Sequence, residues 1–156
     1  MSARLDAAPP PQGADLIARA LGAAALATLA MIHVIDLPAT LGPAPLVGVG
    51  YFGIIAAAIL VGGMMIARSH WLVWAAAGGL AASAMGGYVL TRALAGGFLG
   101  DHGDVGNWRC PLGIAALSVE TLLILLAAWR TRIPAPSTGH QAQPAARWAP
   151  EYSQTG

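Results

Sequence analysis

The chain contains no lysine: all eight of its basic residues are arginine. The Lys-Ser/Thr pair that closes a phosphate-cradling Walker loop is therefore absent, although five glycines crowd residues 96–110. A basic set made only of Arg points to a GC-rich coding sequence more than to chemistry. A single cysteine, Cys110, excludes an internal disulfide and any Cys-rich metal centre. Charged residues make up 10% of the chain, against about 25% in soluble domains. The formal net charge of +1 offers no pull toward nucleic acid or another polyelectrolyte. No H-x-x-H or C-x-x-C pair is present, and no nucleophile–base pair is visible. Hydrolytic and transfer catalysis are thus disfavoured, and no cofactor is implied.

What remains is hydrocarbon-like. Hydrophobic residues make up 56% of the 156 positions, and the mean hydropathy is +0.63, which places the chain among integral membrane proteins. Each helical span needs about 20 residues, so four spans fit this length and six do not. The hydropathy pattern predicts spans over about 15–35, 46–67, 71–94 and 111–129. Buried helices of a soluble bundle would carry a charged face, and none of these does over its central turns.

The expected fold is an all-α, polytopic four-helix bundle over 15–132, between disordered tails at 1–14 and 133–156. The first tail is Pro-rich and poor in large apolar residues. A cleaved signal peptide is the competing reading of the N-terminus. The full-length apolar run and the sequence IDLPATLGP after it speak against cleavage. Pro38, Gly42, Pro43 and Pro45 predict a turn after the first span. Trp71 and Trp74, beyond the hinge at Arg68 and His70, suit the interfacial aromatic belt. Arginine placement sets orientation: with both termini cytoplasmic, Arg4, Arg19, Arg68, Arg130, Arg132 and Arg147 lie inside, and only Arg92 and Arg109 outside.

Helices in lipid approach one another through small residues. The third span offers Gly79, Ser83, Gly87 and, beside them, Gly78, Ala82, Gly86; the first adds Ala20, Ala24 and Thr28. These ridges predict a central third helix, or a surface for a protein partner or a second copy of the chain. Abundant Ala and Gly produce some such ridges by chance.

Residues 88–120 concentrate polarity beside apolar sequence. Glu120 lies about eight residues inside the fourth span, roughly 12 Å along its axis. An ionisable group there costs about 2.5 kcal/mol or more unless neutralised or paired. Thr28, Tyr51, Ser83 and Tyr88 are its neighbours by depth, and Arg92 reaches it only by bending inward. Two readings follow: a proton- or cation-accepting site, or a protonated carboxyl that bonds helices together. His33 and Asp36, one turn apart, share a helix face, where a carboxylate would fix the imidazole tautomer. Met31, His33, His102 and Cys110 offer soft and borderline metal ligands, but nothing in their spacing enforces a site. Asp101 and Asp104 can hold a cation or make solvated pairs with Arg92 and Arg109, and pairing is the commoner outcome. Asn107-Trp108 is expected to lie on the membrane surface, and Pro111 to start the fourth helix at its first turn.

The elements His33 with Pro38, Tyr88-x-x-Thr91-Arg92, a Gly-rich loop, Asn107-Trp108, Pro111-Leu112-Gly113 and Glu120 together resemble a group of uncharacterised small four-helix integral membrane proteins of actinobacteria. The resemblance covers roughly residues 16–129. It implies a multi-pass protein of the bacterial plasma membrane, singles out Arg92 and Glu120, and implies no activity. Members of that group often carry a second His or an acid after the Pro of the first loop. Ala39-Thr40-Leu41 stands there in this chain, which weakens a metal or relay argument built on a pair.

The expectation is accordingly a non-enzymatic accessory or scaffold component of the membrane. The alternative is a proton or small-cation relay using Glu120, helped by Arg92 and His33, with Asp36 and Tyr88 in the same polar region. Metal handling by His33, His102 and Cys110 is the third reading.

Overall fold

The computed structural model describes residues 12–68 and 70–132. Residues 1–11 and 133–156, which hold most of the two expected tails, lie outside the described residues. Four helices follow in order: α1 (Gln12–Leu41), α2 (Pro45–Ala67), α3 (Trp71–Ala93) and α4 (Pro111–Arg132). All four are long and apolar enough to cross a membrane. At 1.5 Å per residue, the 30 residues of α1 extend about 45 Å. The 22 or 23 residues of the others extend about 33–35 Å, against a hydrocarbon core of about 30 Å. The architecture is that of a multi-pass membrane protein.

The break expected at Pro38 does not occur, since α1 runs through it to Leu41. Proline removes only its own N–H, the donor to the Val34 carbonyl, so a single bond of a long helix is lost. The Thr40 hydroxyl bonds back to the Asp36 carbonyl at 3.1 Å. The helix starts at Gln12, before Asp15, and its continuation through Pro38 keeps His33 and Asp36 on one rod.

The helices pack in a ring, α1 against α2 and α4, and α3 against the same two. The expected central role of α3 is thus not found. Its buried seam is Val73, Trp74, Ala77, Ala81 and Ala84, continuing to Thr91 and Arg92. This seam lies beside the glycine ridges rather than along them. Only Gly78 of those ridges meets a close neighbour: a Cβ there would sit 2.8 Å from the Ala127 Cβ, whereas at Gly79, Gly86 and Gly87 it would meet nothing within 4 Å. Ala20, Ala24 and Thr28 of α1 are exposed. Trp74 also departs from expectation. It is 2% exposed and belongs to the core, because Gly22 opposite leaves room for the indole; Trp71 remains outside.

The half of the bundle that holds Gln12 and Arg132 is closed. Leu26, Leu29, Met65, Ala77, Ala81 and Leu123 fill it, and a charged clamp ties its end. Arg19 donates from Nε to the Met65 carbonyl at 2.9 Å, and from its other arm to that of Ile66. These are last-turn carbonyls of α2 that lack helical partners. Asp15 pairs with Arg19 and with Arg130 of α4.

Candidate functional site

Among the described residues, the buried polar side chains are His33, Thr91, Arg92, Asp101 and Glu120, and all lie in the half away from the clamp. Two constructions organise them: a loop fastened by Arg92, and a cleft floored by Glu120.

Arg92, in the last turn of α3, is 7% exposed. Its guanidinium lies over the Tyr88 ring at 3.7 Å from the centroid. Nε donates to the Asn107 carbonyl at 3.1 Å, one terminal nitrogen to Thr91 Oγ1 at 2.7 Å, and the other pairs with Asp104 Oδ2 at 3.1 Å. The backbone joins in, as Gly106 N–H donates to the Arg92 carbonyl at 3.0 Å. A planar cation with several donors suits this spread of acceptors. The pairing of Arg92 with Asp104 therefore forms, with the guanidinium buried and the carboxylate still partly open to solvent.

The loop's glycines serve its turns. Gly97 has φ +76, with a Cβ position 2.6 Å from His102 Nδ1, so a side chain is excluded there by conformation and by space. Leu99 and Gly100 take φ 52 and 88 in a tight turn closed by Asp101 N–H to the Phe98 carbonyl at 3.0 Å. Asp101 Oδ1 accepts from Asp104 N–H at 3.2 Å, which makes Asp101 a turn-former. Ile114 N–H reaches the Cys110 carbonyl at 3.0 Å, and Pro111 opens α4 as expected.

Above the closed core lies a cavity of about 170 Å³ between all four helices and the loop. Ile32, Ile54, Ser83 and Glu120 line it near the middle of the bundle, Ser83 from an exposed position on α3. Glu120, the tenth of the 22 residues of α4, is 1% exposed. Its Oε2 has no hydrogen-bond partner among the described residues. Thr28 and Ser83, its expected neighbours by depth, instead bond backbone carbonyls of their own helices.

His33 and Asp36 both line the cavity but are not partnered with each other. Asp36 Oδ2 accepts from the Tyr51 hydroxyl at 3.0 Å, and the Tyr51 ring stands edge-on to the imidazole at 4.8 Å. His33 Nδ1 lies 2.9 Å from the Leu29 carbonyl. A carbonyl only accepts, so Nδ1 carries the proton and Nε2 is left as an acceptor. The tautomer is thus fixed by α1's own backbone, contrary to the expected role of Asp36. The three weak metal candidates do not converge: His33 and Cys110 line the cavity and His102 does not. Among the described residues no three His, Cys, Asp or Glu side chains form a group able to hold a metal.

No protein-family model, curated protein or solved structure matches the chain.

Two residues that the sequence marked only through the resemblance, with no role attached, contribute here. Thr91 supplies an acceptor to Arg92, and a Thr in the last turn of an apolar helix gives little signal of that role. Gly113 lies directly against Tyr88: a Cβ there would come within 2.4 Å of the ring's Cε2. That absence of a side chain lets Tyr88 lie under Arg92 and donate its hydroxyl to the Trp108 carbonyl at 3.2 Å. Gly113→Ala is expected to push the ring aside and lower stability by about 1–3 kcal/mol, read as a fall in unfolding temperature with changed Trp108 emission. Unchanged stability and emission would show that Tyr88 has room to yield.

Proposed function

We propose that this is a multi-pass protein of the bacterial plasma membrane, with both termini cytoplasmic, whose outward-facing cleft takes up a proton or small cation at Glu120. One observation carries the reading: a carboxyl buried at mid-bundle, lining a cavity, with an oxygen that no group among the described residues satisfies. A carboxyl serving to bond helices together would be expected to have a partner on another helix. The orientation is supported by the arginine distribution, since Arg19, Arg68, Arg130 and Arg132 gather at the end where the chain's described termini meet.

Difference infrared spectroscopy of the protein in lipid, against Glu120→Gln, tests this. The expected result is a carboxyl band that responds to bulk pH in the parent protein and is missing from the variant. A band that stays constant across the accessible pH range would remove the reading.

The accessory or scaffold role is the second reading, favoured by one feature. Gly79 and Ser83 are exposed on one face of α3, where lipid-embedded helices can meet closely. Gly79→Leu would then weaken association with a partner or a second copy while leaving the Glu120 band intact.

A further inference from the structure

The size, lining and charge of the cleft narrow what it takes up. A cavity of about 150 Å³ lined by apolar side chains is enough to hold benzene, and the one here is about 170 Å³. A bare proton or metal ion needs far less room. The walls are largely apolar, contributed by residues such as Ile32, Val47, Ile54, Leu112 and Ala116, so an occupant needs an apolar body as well as a polar head.

The polar groups decide the head. On the α3 side, the Arg92 cation is satisfied by Asp104, Thr91 and the Asn107 carbonyl and covered by Tyr88. On the α1–α2 side, the Tyr51 hydroxyl is spent on Asp36. What remains is acceptors: the Glu120 carboxyl at the floor and His33 Nε2 on the wall. Counting Arg92 against Asp104, Asp36 and Glu120, the ionised cleft has an excess of negative charge. Such an interior favours a cation that donates hydrogen bonds and disfavours anions and pure acceptors.

We propose that the cleft binds a small organic ammonium ion of about benzylamine's size, its apolar body filling the cavity and its N–H groups donating to Glu120. This rests on the reading of Glu120 as an ion-accepting group and adds the class of ligand. Burying an ammonium is costly unless it is paired and hydrogen-bonded, and the unpartnered carboxylate supplies both. The apolar walls would separate such ions from hydrated inorganic cations.

The test is titration calorimetry of the full chain in lipid nanodiscs, with benzylamine as probe and toluene as its neutral isostere. Benzylamine should bind at one per chain, and Glu120→Gln should weaken it at least tenfold while toluene binding stays the same. Gly87→Leu, which adds a side chain to a lining position with open space around it, should abolish both, and it reports on the cavity even if the Glu120 variant fails to fold. Equal benzylamine affinity in parent and Glu120→Gln would overturn the proposal, as would undiminished binding of both probes to Gly87→Leu. If benzylamine does not bind while the Glu120 infrared band still titrates, the ligand assignment is wrong and the proton-accepting reading stands. If that band is silent, both fail.

Discussion

Arg92→Ala should release residues 94–110 from the bundle and lower stability by about 3 kcal/mol, within the range for breaking a buried pair by removing one partner. The magnitude follows from what is left behind. Asp104 loses its cation, the Asn107 carbonyl and Thr91 hydroxyl lose their donor, and the Tyr88 ring loses its cover. Asp104 keeps partial contact with solvent, which holds the loss toward the low end. Arg92→Lys should recover little, because one ammonium cannot lie flat on Tyr88 and reach three acceptors in different directions. Tryptic cleavage at exposed Arg109 gives the readout, rising steeply in Arg92→Ala alongside a lower unfolding temperature. An unchanged cleavage rate would mean that the loop is held by its own turns, through Gly97 and Asp101, without the guanidinium.

Glu120→Leu should have the opposite sign. Leaving a polar atom buried and unsatisfied costs about 1–3 kcal/mol, and an apolar side chain of similar size at the same place removes that cost. The variant is expected to be more stable than the parent by that amount and to lose the pH-responsive carboxyl band. Glu120→Gln, which keeps a polar head in the same surroundings, should change stability little. A destabilised Glu120→Leu protein would mean that the carboxyl bonds helices together, and the ion-accepting reading would give way to a structural one. Gain of stability on loss of a group is the mark of a residue retained for another purpose.

The helices were legible because length and hydropathy are one-dimensional properties. α2, α3 and the start of α4 fall where the apolar runs place them. Pro38 misled because a proline reads as a break, while it removes a single N–H from a 30-residue apolar helix. Trp74 misled for a related reason. An indole near a helix end reads as interfacial, and only the pairing with Gly22 of another helix shows the space that takes it inward. For packing within the bundle, the glycine ridges of α3 lie one or two residues off the buried face, since alanines at 77, 81 and 84 approach their neighbours well enough. At the site, Glu120 stood out because a carboxylate inside an apolar helix is rare. The partners of His33 and Asp36 did not, because spacing puts the two on one face without saying that Leu29 and Tyr51 would claim them. The cavity had no signature in sequence at all, being a gap between four helices.

The layer of Leu26, Leu29, Ala81 and Leu123 beneath Glu120 has an electrical consequence. Moving one charge across a whole membrane is worth about 2.3 kcal/mol per 100 mV, so a cation that stops at mid-depth experiences about 1 kcal/mol of that. If Glu120 takes up a cation as proposed, the packed floor below would stop it there and return it through the mouth it entered. The bundle would then act as a capacitor, its charge state following the membrane voltage with no steady current.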